Sequence, residues 1–239
     1  MELVKQSAEI LTINGRSLEN FDETKLLRYL EGIGRTCYKS EDKIGDDEKT
    51  RKFVQGIIDR GHHSVIEHIQ MSVRFVTNRG TTHELVRHRL ASYSQESTRY
   101  CNYGSDHVKF VIPHWTKLEN GFYLVRFKND FKWFMKIPDK KVEVSAQEFI
   151  WLSAMSEAEV NYKSLLNQKV PAQDARGVLP IDLKTEIVMT ANIREWWHVF
   201  KLRTAPAAHP QIRNLMTELM AAAKSVAPVL FGTAGVLDE

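Results

Sequence analysis

The chain has few of the features that mark a secreted or membrane protein. Its 239 residues include two cysteines, Cys37 and Cys101, which form no CxxC pair and no zinc-ligand spacing. No apolar run approaches the roughly 18 residues of a membrane-spanning helix. The first residues, MELVKQSAEILTING, lack the basic segment and apolar run of a signal peptide. We therefore expect a cytoplasmic protein in a reducing compartment.

An excess of one charge is also missing. The formal net charge is only +3, so no overall basic field favours binding to nucleic acid. Hydrophobic residues make up 43% and charged residues 26%, which is ordinary for a globular protein. A mass of 27.6 kDa is enough for a substantial core, and we expect residues 1–239 to form a single domain.

Several motifs of catalysis and nucleotide binding are absent. The chain contains no GxSxG, no GxGxxG and no Walker A sequence. The stretch HELVRH resembles the HExxH zinc helix, but His83 and His88 are five residues apart, roughly 140° around a helix. The histidines at 62–68 also lack a recognised ligand spacing. The nine histidines therefore do not predict a metal site.

One segment is unusually rich in donors for anions: RHRLASYSQESTRY, residues 87–100. It holds three arginines, and its one acid is Glu96. Guanidinium groups match phosphate in a bidentate manner, and the hydroxyls of Ser92, Ser94, Ser97 and Thr98 could complete the oxygen shell. The segment is a surface coincidence, a nucleic-acid patch or a pocket for a phosphorylated small molecule.

Helix start and stop signals recur along the chain. Residues 22–31 and 46–60 predict two helices, the second ended by Gly61. Two capping boxes, Ser64-Val-Ile-Glu67 and Ser145-Ala-Gln-Glu148, predict helix starts, the second for a long helix to about Gln168. Further helices are predicted at 82–88, at 192–203 and, as the last, from Pro210.

Strand patterns lie between these helices. Residues 71–78 alternate with Val73, Phe75 and Thr77 on one face, and residues 108–113 predict a second strand. Aromatic and β-branched residues at 121–144 predict a hairpin, which makes the stretch around 115–143 a candidate insertion. Helices and strands alternate without regular βαβ spacing, so the predicted fold class is α+β.

The segment NIREWWHVFKLR (192–203) combines a cap with two helix faces. Asn192 can cap the helix, and Arg194 and His198 share a face at i, i+4. Arg203 ends an aromatic stripe, either as a snorkelling surface residue or as a donor to the edge of a flat ligand. Upstream, ARGVLP (175–180) offers Arg176 as a second phosphate anchor.

Together these pieces resemble the flavin-dependent thymidylate synthases. The carrying motif is Arg87-His88-Arg89, seven residues and then Ser97, the RHR-x7-S signature of that family. EHIQMSVRF precedes it, and ARGVLP, TANIR and the final HVFKLR follow in the family's order. The match runs from about 62 to 213, except for the portion near 115–143.

The resemblance implies a catalytic α+β domain with a twisted sheet surrounded by helices. It implies binding of FAD by the following residues: Ser64, Arg87, His88, Arg89, Gln95, Asn192, Ile193, Arg194 and His198. It implies binding of dUMP by a second set: Glu84, Leu85, Val86, Arg87, Gln95, Glu96, Ser97, Thr98, Arg99, Arg176 and Arg203.

The implied reaction is reductive methylation of dUMP to dTMP, with methylenetetrahydrofolate as carbon donor and NADPH as reductant of the FAD. Arg203 would be the catalytic residue, stabilising negative charge at N3 of the uracil. Family members are homotetramers that share active sites between subunits. The chain departs from the family in having Gln95-Glu96 where Glu-Gln is common, which leaves the separate roles of these two residues open.

Two other classes remain open from the residues themselves. A single-stranded nucleic-acid-binding protein would place the arginines on phosphates and stack bases on Tyr93, Tyr100 and Tyr103. A metal-dependent hydrolase would need its histidines to hold zinc. Cys101, close to Arg99, is either a reactive thiol or a small core residue.

Overall fold

The structure is a computed structural model that describes residues 1–128, 131–136 and 140–232. The chain divides into two compact units. The first consists of Met1–Ser7, Val76–Leu85 and Ser94–Ile187, and the second of Ala8–Phe75, Val86–Tyr93 and the described residues from Val188 onward. That the whole chain acts as one catalytic domain stays a prediction.

Eight α-helices lie in the described part of the chain. They are α1 (Glu23–Tyr38), α2 (Asp47–Asp59), α3 (Arg79–Leu85), α4 (Ala146–Asn167), α5 (Ala172–Ala175), α6 (Ile193–Arg203), α7 (Pro210–Val226) and α8 (Pro228–Phe231). Short 3-10 helices occupy Leu18–Asn20, Glu41–Lys43, His63–His68 and Arg176–Val178. Among the described residues, no helix is long and apolar enough to cross a membrane.

The strands form two sheets. They are β1 (Glu2–Val4), β2 (Ser7–Ile13), β3 (Gln70–Asn78), β4 (Ala91–Gln95), β5 (Lys109–Val111), β6 (Gly121–Lys128), β7 (Phe131–Lys136), β8 (Lys140–Lys141) and β9 (Lys184–Asn192). One sheet has the order β5-β1-β6-β7-β8, with β1 parallel to β5 and antiparallel to β6. The other has the order β2-β3-β9-β4. This mixture of helices and sheets confirms the α+β class.

Helices with strong local caps were predicted well. Asp46 caps α2 by accepting a hydrogen bond from Lys49 N at 2.9 Å, and Gly61 follows with a φ of 75°. The capping box at Ser145 is confirmed, because Ser145 Oγ accepts from Glu148 N and Glu148 Oε2 accepts from Ser145 N. Such caps satisfy backbone groups that the helix itself leaves unpaired.

The first predicted capping box, at Ser64, is wrong. Ser64 lies inside the 3-10 helix His63–His68, which His62 precedes without any side-chain cap. The chain enters β3 at Gln70, only two residues after this turn, so an α-helix has no room to develop. Ser64 therefore does not present the free amides of an α-helix start.

Other boundaries differ from the predictions. Helix α1 continues to Tyr38, α3 ends at Leu85 before the RHR motif, and α8 follows the helix predicted to be the last. Strand β4 lies within the donor-rich segment 87–100, for which no strand was predicted. Strands β6 and β7 pair antiparallel, as a hairpin requires, but residues 129–130 and 137–139 of the predicted hairpin lie outside the described residues.

Within the second unit, two buried tryptophans anchor helix α6. Trp196 Nε1 donates to the carbonyl of Met71 at 2.9 Å, and Trp197 Nε1 donates to the carbonyl of Leu230 at 2.7 Å. Both rings are fully buried, so these bonds satisfy donors that would otherwise cost roughly 1–3 kcal/mol each. The polar residues of α6 are thereby fixed in one orientation.

Candidate active site

The start of helix α6 contributes three predicted residues to one cavity. Asn192 Oδ1 accepts from Glu195 N at 2.8 Å, which caps the helix as predicted. Arg194 and His198 share a face, and a cavity of about 580 Å³ opens beside them. Its lining consists of Glu67, Leu90, Asn192, Arg194, Glu195 and His198.

Sequence reasoning missed three of these lining residues: Glu67, Leu90 and Glu195. Glu67 Oε1 accepts from Arg194 Nη1 at 2.5 Å, and the two side chains are 40% and 55% exposed. An ion pair this exposed contributes little to stability, so a ligand can replace it at small cost. The sequence signal that could have identified Glu67, Leu90 and Glu195 is their closeness in sequence to Ser64, Arg89 and Arg194, three residues that the resemblance implies for the site.

His88 of the signature lies at the centre of a polar cluster in the second unit. It is only 5% exposed, and its Nε2 accepts a hydrogen bond from Arg203 Nε at 3.0 Å. The His198 ring stands edge-on to it, with the centroids 5.9 Å apart and the planes at 75°. Glu195 Oε1 lies 3.8 Å from His88 Nδ1.

These surroundings keep the His88 imidazole neutral. Burial, followed by the charges of Arg203 and His198, lowers its pKa to about 4. Since Nε2 accepts the hydrogen bond from Arg203, the single ring proton of the neutral form lies on Nδ1, facing Glu195. His88 therefore serves Arg203 as an uncharged acceptor.

Two further groups of this cluster hold their protons more firmly than usual. Burial raises the pKa of the Glu195 carboxyl, against the opposing effect of His198. Burial and the Glu195 charge raise the pKa of Tyr93 to about 12, and its hydroxyl donates to the His88 carbonyl at 2.8 Å. The hydrogen-bond acceptor of Arg203 Nε is thus an uncharged ring.

A second set of predicted residues meets within the first unit. Arg176 Nη1 donates to Thr98 Oγ1 at 2.9 Å, although the two residues are 78 positions apart. Ser97 Oγ accepts from Arg99 N at 3.3 Å, and the exposed Arg99 guanidinium lies over the Tyr100 ring. Two arginines and two hydroxyls, with Arg176 and Thr98 in direct contact, form a donor set suited to a phosphate.

The structure separates Gln95 from Glu96, whose roles the sequence left open. Gln95 Nε2 donates to the hydroxyls of Thr82 and Thr185, at 3.0 and 3.3 Å. Glu96 instead accepts from the Tyr103 hydroxyl at 2.6 Å and pairs with Lys184 at 3.2 Å. Glu96 is thus tied into the protein by charged and hydroxyl partners.

The remaining predicted residues differ in exposure. Leu85 and Ile193 have no exposed surface, backbone included, and the Ile193 N–H donates to the carbonyl of Ile69 at 3.0 Å. Ser64, Val86, Arg87 and Arg89 are exposed, and Glu84 is half-buried.

Among the residues that the structure describes, no group of three or more His, Cys, Asp or Glu side chains is arranged to hold a metal ion.

Comparisons with known proteins agree with the motif. The model of the family described as thymidylate synthase complementing protein matches residues 21–229. A flavin-dependent thymidylate synthase of Geobacter sulfurreducens is 35% identical over 213 residues, covering 84% of this chain and 78% of the relative. One from Pyrococcus furiosus is 33% identical, covering 90% and 79%. The chain belongs to the flavin-dependent thymidylate synthase family.

A solved structure shares the fold of this family member. It is the UMP/dUMP methylase PolB from Streptomyces cacaoi, bound with 5-Br dUMP. The TM-score is 0.69 over 97% of this chain and 96% of PolB, at 22% sequence identity. The likeness therefore extends over nearly the whole chain and concerns the fold.

The residues beside α6 fit the flavin that gives this family its name. A flavin nucleotide presents phosphates, hydroxyls and ring carbonyls, which need cationic and neutral donors. The cavity offers the Arg194 guanidinium, the His198 imidazole and the Asn192 amide, with Leu90 as an apolar wall. This donor set, in a cavity of about 580 Å³, is compatible with part of an FAD molecule.

Proposed function

We propose that this chain catalyses the reductive methylation of dUMP to dTMP as an FAD-dependent thymidylate synthase. The observation that carries the proposal is that site residues implied by the resemblance, far apart in sequence, are bonded to one another. His88 meets Arg203 in the second unit, and Thr98 meets Arg176 in the first. These contacts give the donors that the resemblance implies a defined geometry in place of scattered surface charge.

The dUMP phosphate is held by the donor set of the first unit. Ser97, Thr98, Arg99 and Arg176 supply two hydroxyls and two guanidinium groups. The segments Glu84–Arg87 and Gln95–Glu96 complete the nucleotide site. Because Gln95 is held by two threonine hydroxyls, its amide is already oriented before a nucleotide arrives.

FAD is held by the residues that the family resemblance implies. Asn192, Arg194 and His198 line the cavity beside α6, and the resemblance adds Ser64, Arg87 and Arg89 of the same unit. When bound and reduced by NADPH, the flavin supplies the hydride, while methylenetetrahydrofolate supplies the carbon. The exposed Arg194–Glu67 pair opens at little cost, so Arg194 can turn to the cofactor.

Arg203 stabilises negative charge that develops at N3 of the uracil. A guanidinium is most effective in this role when its charge is not cancelled by a neighbouring anion. Among its partners is the neutral imidazole of His88, which accepts a hydrogen bond without adding negative charge. The bond to His88 therefore restrains Arg203 without offsetting its charge.

A homotetramer with shared active sites and a cytoplasmic location stay predictions, and light scattering on the purified protein tests the first.

The nucleic-acid alternative is not favoured, because two of its three tyrosines donate their hydroxyls inward. Tyr93 bonds to the His88 carbonyl and Tyr103 to Glu96, whereas Tyr100 is 81% exposed.

An anaerobic absorption experiment tests the proposed function. Purified protein supplied with FAD is titrated with NADPH, with and without dUMP, and dTMP is then measured after addition of methylenetetrahydrofolate. We expect an oxidised flavin spectrum that bleaches with NADPH, followed by dTMP formation that requires both dUMP and folate. Protein that binds no added FAD, or that forms no dTMP, contradicts the proposal.

A further inference from the structure

The bond between Arg203 and His88 uses Nε, the guanidinium nitrogen nearest to the backbone. Arg203 Nε donates to His88 Nε2 at 3.0 Å, across 115 positions of sequence. The Nε atom lies in the guanidinium plane and is bonded directly to Cδ. Holding it fixes the plane of the group and directs its terminal nitrogens.

His88 is itself held from several sides. Its ring is 5% exposed, the His198 ring lies against it, and Glu195 Oε1 is 3.8 Å from Nδ1. Its backbone carbonyl accepts from the Tyr93 hydroxyl at 2.8 Å. A ring restrained in this way presents Nε2 in a constant direction.

We propose that His88 is a positioning residue for Arg203, and that its Nε2 sets the direction in which the guanidinium meets the substrate. The inference rests on the proposed function, in which Arg203 acts on the uracil. It differs from the direct flavin contact that the resemblance implies for His88. Glu195 and His198 then act indirectly, by fixing the tautomer and orientation of the imidazole.

A neutral imidazole suits this role better than a carboxylate would. A carboxylate partner would bind the guanidinium more strongly, but would also offset much of its positive charge at the reacting base. Glu195 lies beyond hydrogen-bond distance of His88, so its influence on the ring is electrostatic. The imidazole of His88 therefore orients Arg203 without adding a negative charge at its Nε.

Two amide substitutions separate the nitrogens of His88. The Gln amide of His88→Gln reaches the position of Nε2, and the Asn amide of His88→Asn reaches that of Nδ1. Relative to the wild type, we expect His88→Asn to lower the rate of dTMP formation at saturating dUMP by about 10- to 100-fold, since small displacements of a catalytic group have effects of this size. His88→Gln should recover most of that loss, while the KM for dUMP and the flavin content change less than about threefold in either variant.

A double variant tests whether His88 acts through Arg203. The rate of His88→Asn/Arg203→Ala should equal that of Arg203→Ala alone, because the residue to be positioned is gone. The inference would be overturned if the double variant lost activity by the product of the two single losses. It would also be overturned if His88→Gln formed dTMP no faster than His88→Asn. Such results would assign His88 a separate role.

Crystal structures provide a readout that does not depend on activity. Arg203 should keep its orientation in the wild type and in His88→Gln, and adopt another in His88→Asn. An unchanged Arg203 in His88→Asn overturns the positioning role, even if the protein makes dTMP. The proposed function fails separately if the wild type makes no dTMP while Arg203 behaves as expected. If His88→Asn does not fold, the wild type crystallised with dUMP decides, since an Arg203 that has left His88 contradicts the inference.

Discussion

Arg176 and Thr98 are joined by a 2.9 Å hydrogen bond from a guanidinium nitrogen to a hydroxyl, although one follows α5 and the other follows β4. The two residues are 78 positions apart in sequence, and both belong to segments that resemble those of the flavin-dependent thymidylate synthases. Thr98 is buried and Arg176 is exposed, so the bond holds the guanidinium end of a long, charged side chain against a buried hydroxyl. The bond engages Nη1, one of the three guanidinium nitrogens of Arg176.

The first prediction concerns this pair. Arg176→Ala should raise the KM for dUMP by about 10- to 100-fold, because a phosphate loses a charge-assisted partner worth roughly 1.5–3 kcal/mol. The turnover number at saturating dUMP should change much less. Steady-state kinetics over a range of dUMP concentrations measure both quantities. Arg28→Ala, which removes an exposed arginine paired with Asp47, is the control and should leave the KM unchanged. A drop in turnover with no change in KM would assign Arg176 to another step.

The second prediction concerns the Tyr103 hydroxyl. Burial and its hydrogen bond to Glu96 raise the pKa of Tyr103 above its usual range. Tyr103→Phe should therefore lower the free energy of unfolding by about 1–3 kcal/mol, since Glu96 loses a 2.6 Å donor. Urea unfolding followed by circular dichroism measures this change. Tyr100→Phe, at a side chain that is 81% exposed, should be neutral. Equal effects of the two substitutions would show that the Tyr103–Glu96 bond contributes no net stability.

Local signals in the sequence were sufficient for parts of the fold. Helix α2 was predicted from the helical spacing of its apolar residues and from Gly61 at its end, and α4 from the capping box at Ser145. The same pattern at Ser64 failed, because a cap motif does not specify how many residues follow before the next strand. Strand β9 was not predicted, although its buried residues alternate regularly along Lys184–Asn192.

The candidate site, like the fold, was predictable where its geometry depends on residues close together in sequence. The i, i+4 spacing of Arg194 and His198 placed them correctly on one face, because helical geometry is local. The bond between His88 and Arg203 depends on how α6 is anchored by Trp196 and Trp197, which lies beyond any local pattern. The membership of Glu195 in the cluster was hidden for the same reason.

The third prediction is a pH dependence of stability caused by His88. Its pKa is about 4 in the folded protein and near 6.5 when exposed, so the unfolded chain binds the extra proton between these values. Stability contributed by the neutral ring is present above pH 6.5 and is lost as the pH falls toward 4. Between pH 7 and pH 5 this loss is about 2 kcal/mol.

Urea unfolding of the wild type and of His88→Gln at pH 7 and pH 5 measures this contribution. The Gln side chain does not titrate, so the difference between the two proteins should shrink by about 2 kcal/mol at pH 5. Other titrating groups affect both proteins and cancel in the comparison. A difference that is the same at both pH values would show that His88 is protonated normally in the folded state.

The last prediction separates binding from stability at the rim of the α6 cavity. Arg194→Ala should weaken FAD binding by at least about 10-fold, because the cavity loses its guanidinium donor for the cofactor. The free energy of unfolding should change by no more than about 1 kcal/mol, since the Arg194–Glu67 pair is 55% and 40% exposed. Fluorescence titration with FAD and urea unfolding measure the two effects. Arg51→Ala is a matched control, because Arg51 is 47% exposed and pairs with Glu23 at 3.1 Å. It should leave FAD affinity unchanged; loss of flavin in both variants, or in neither, would remove Arg194 from the flavin site.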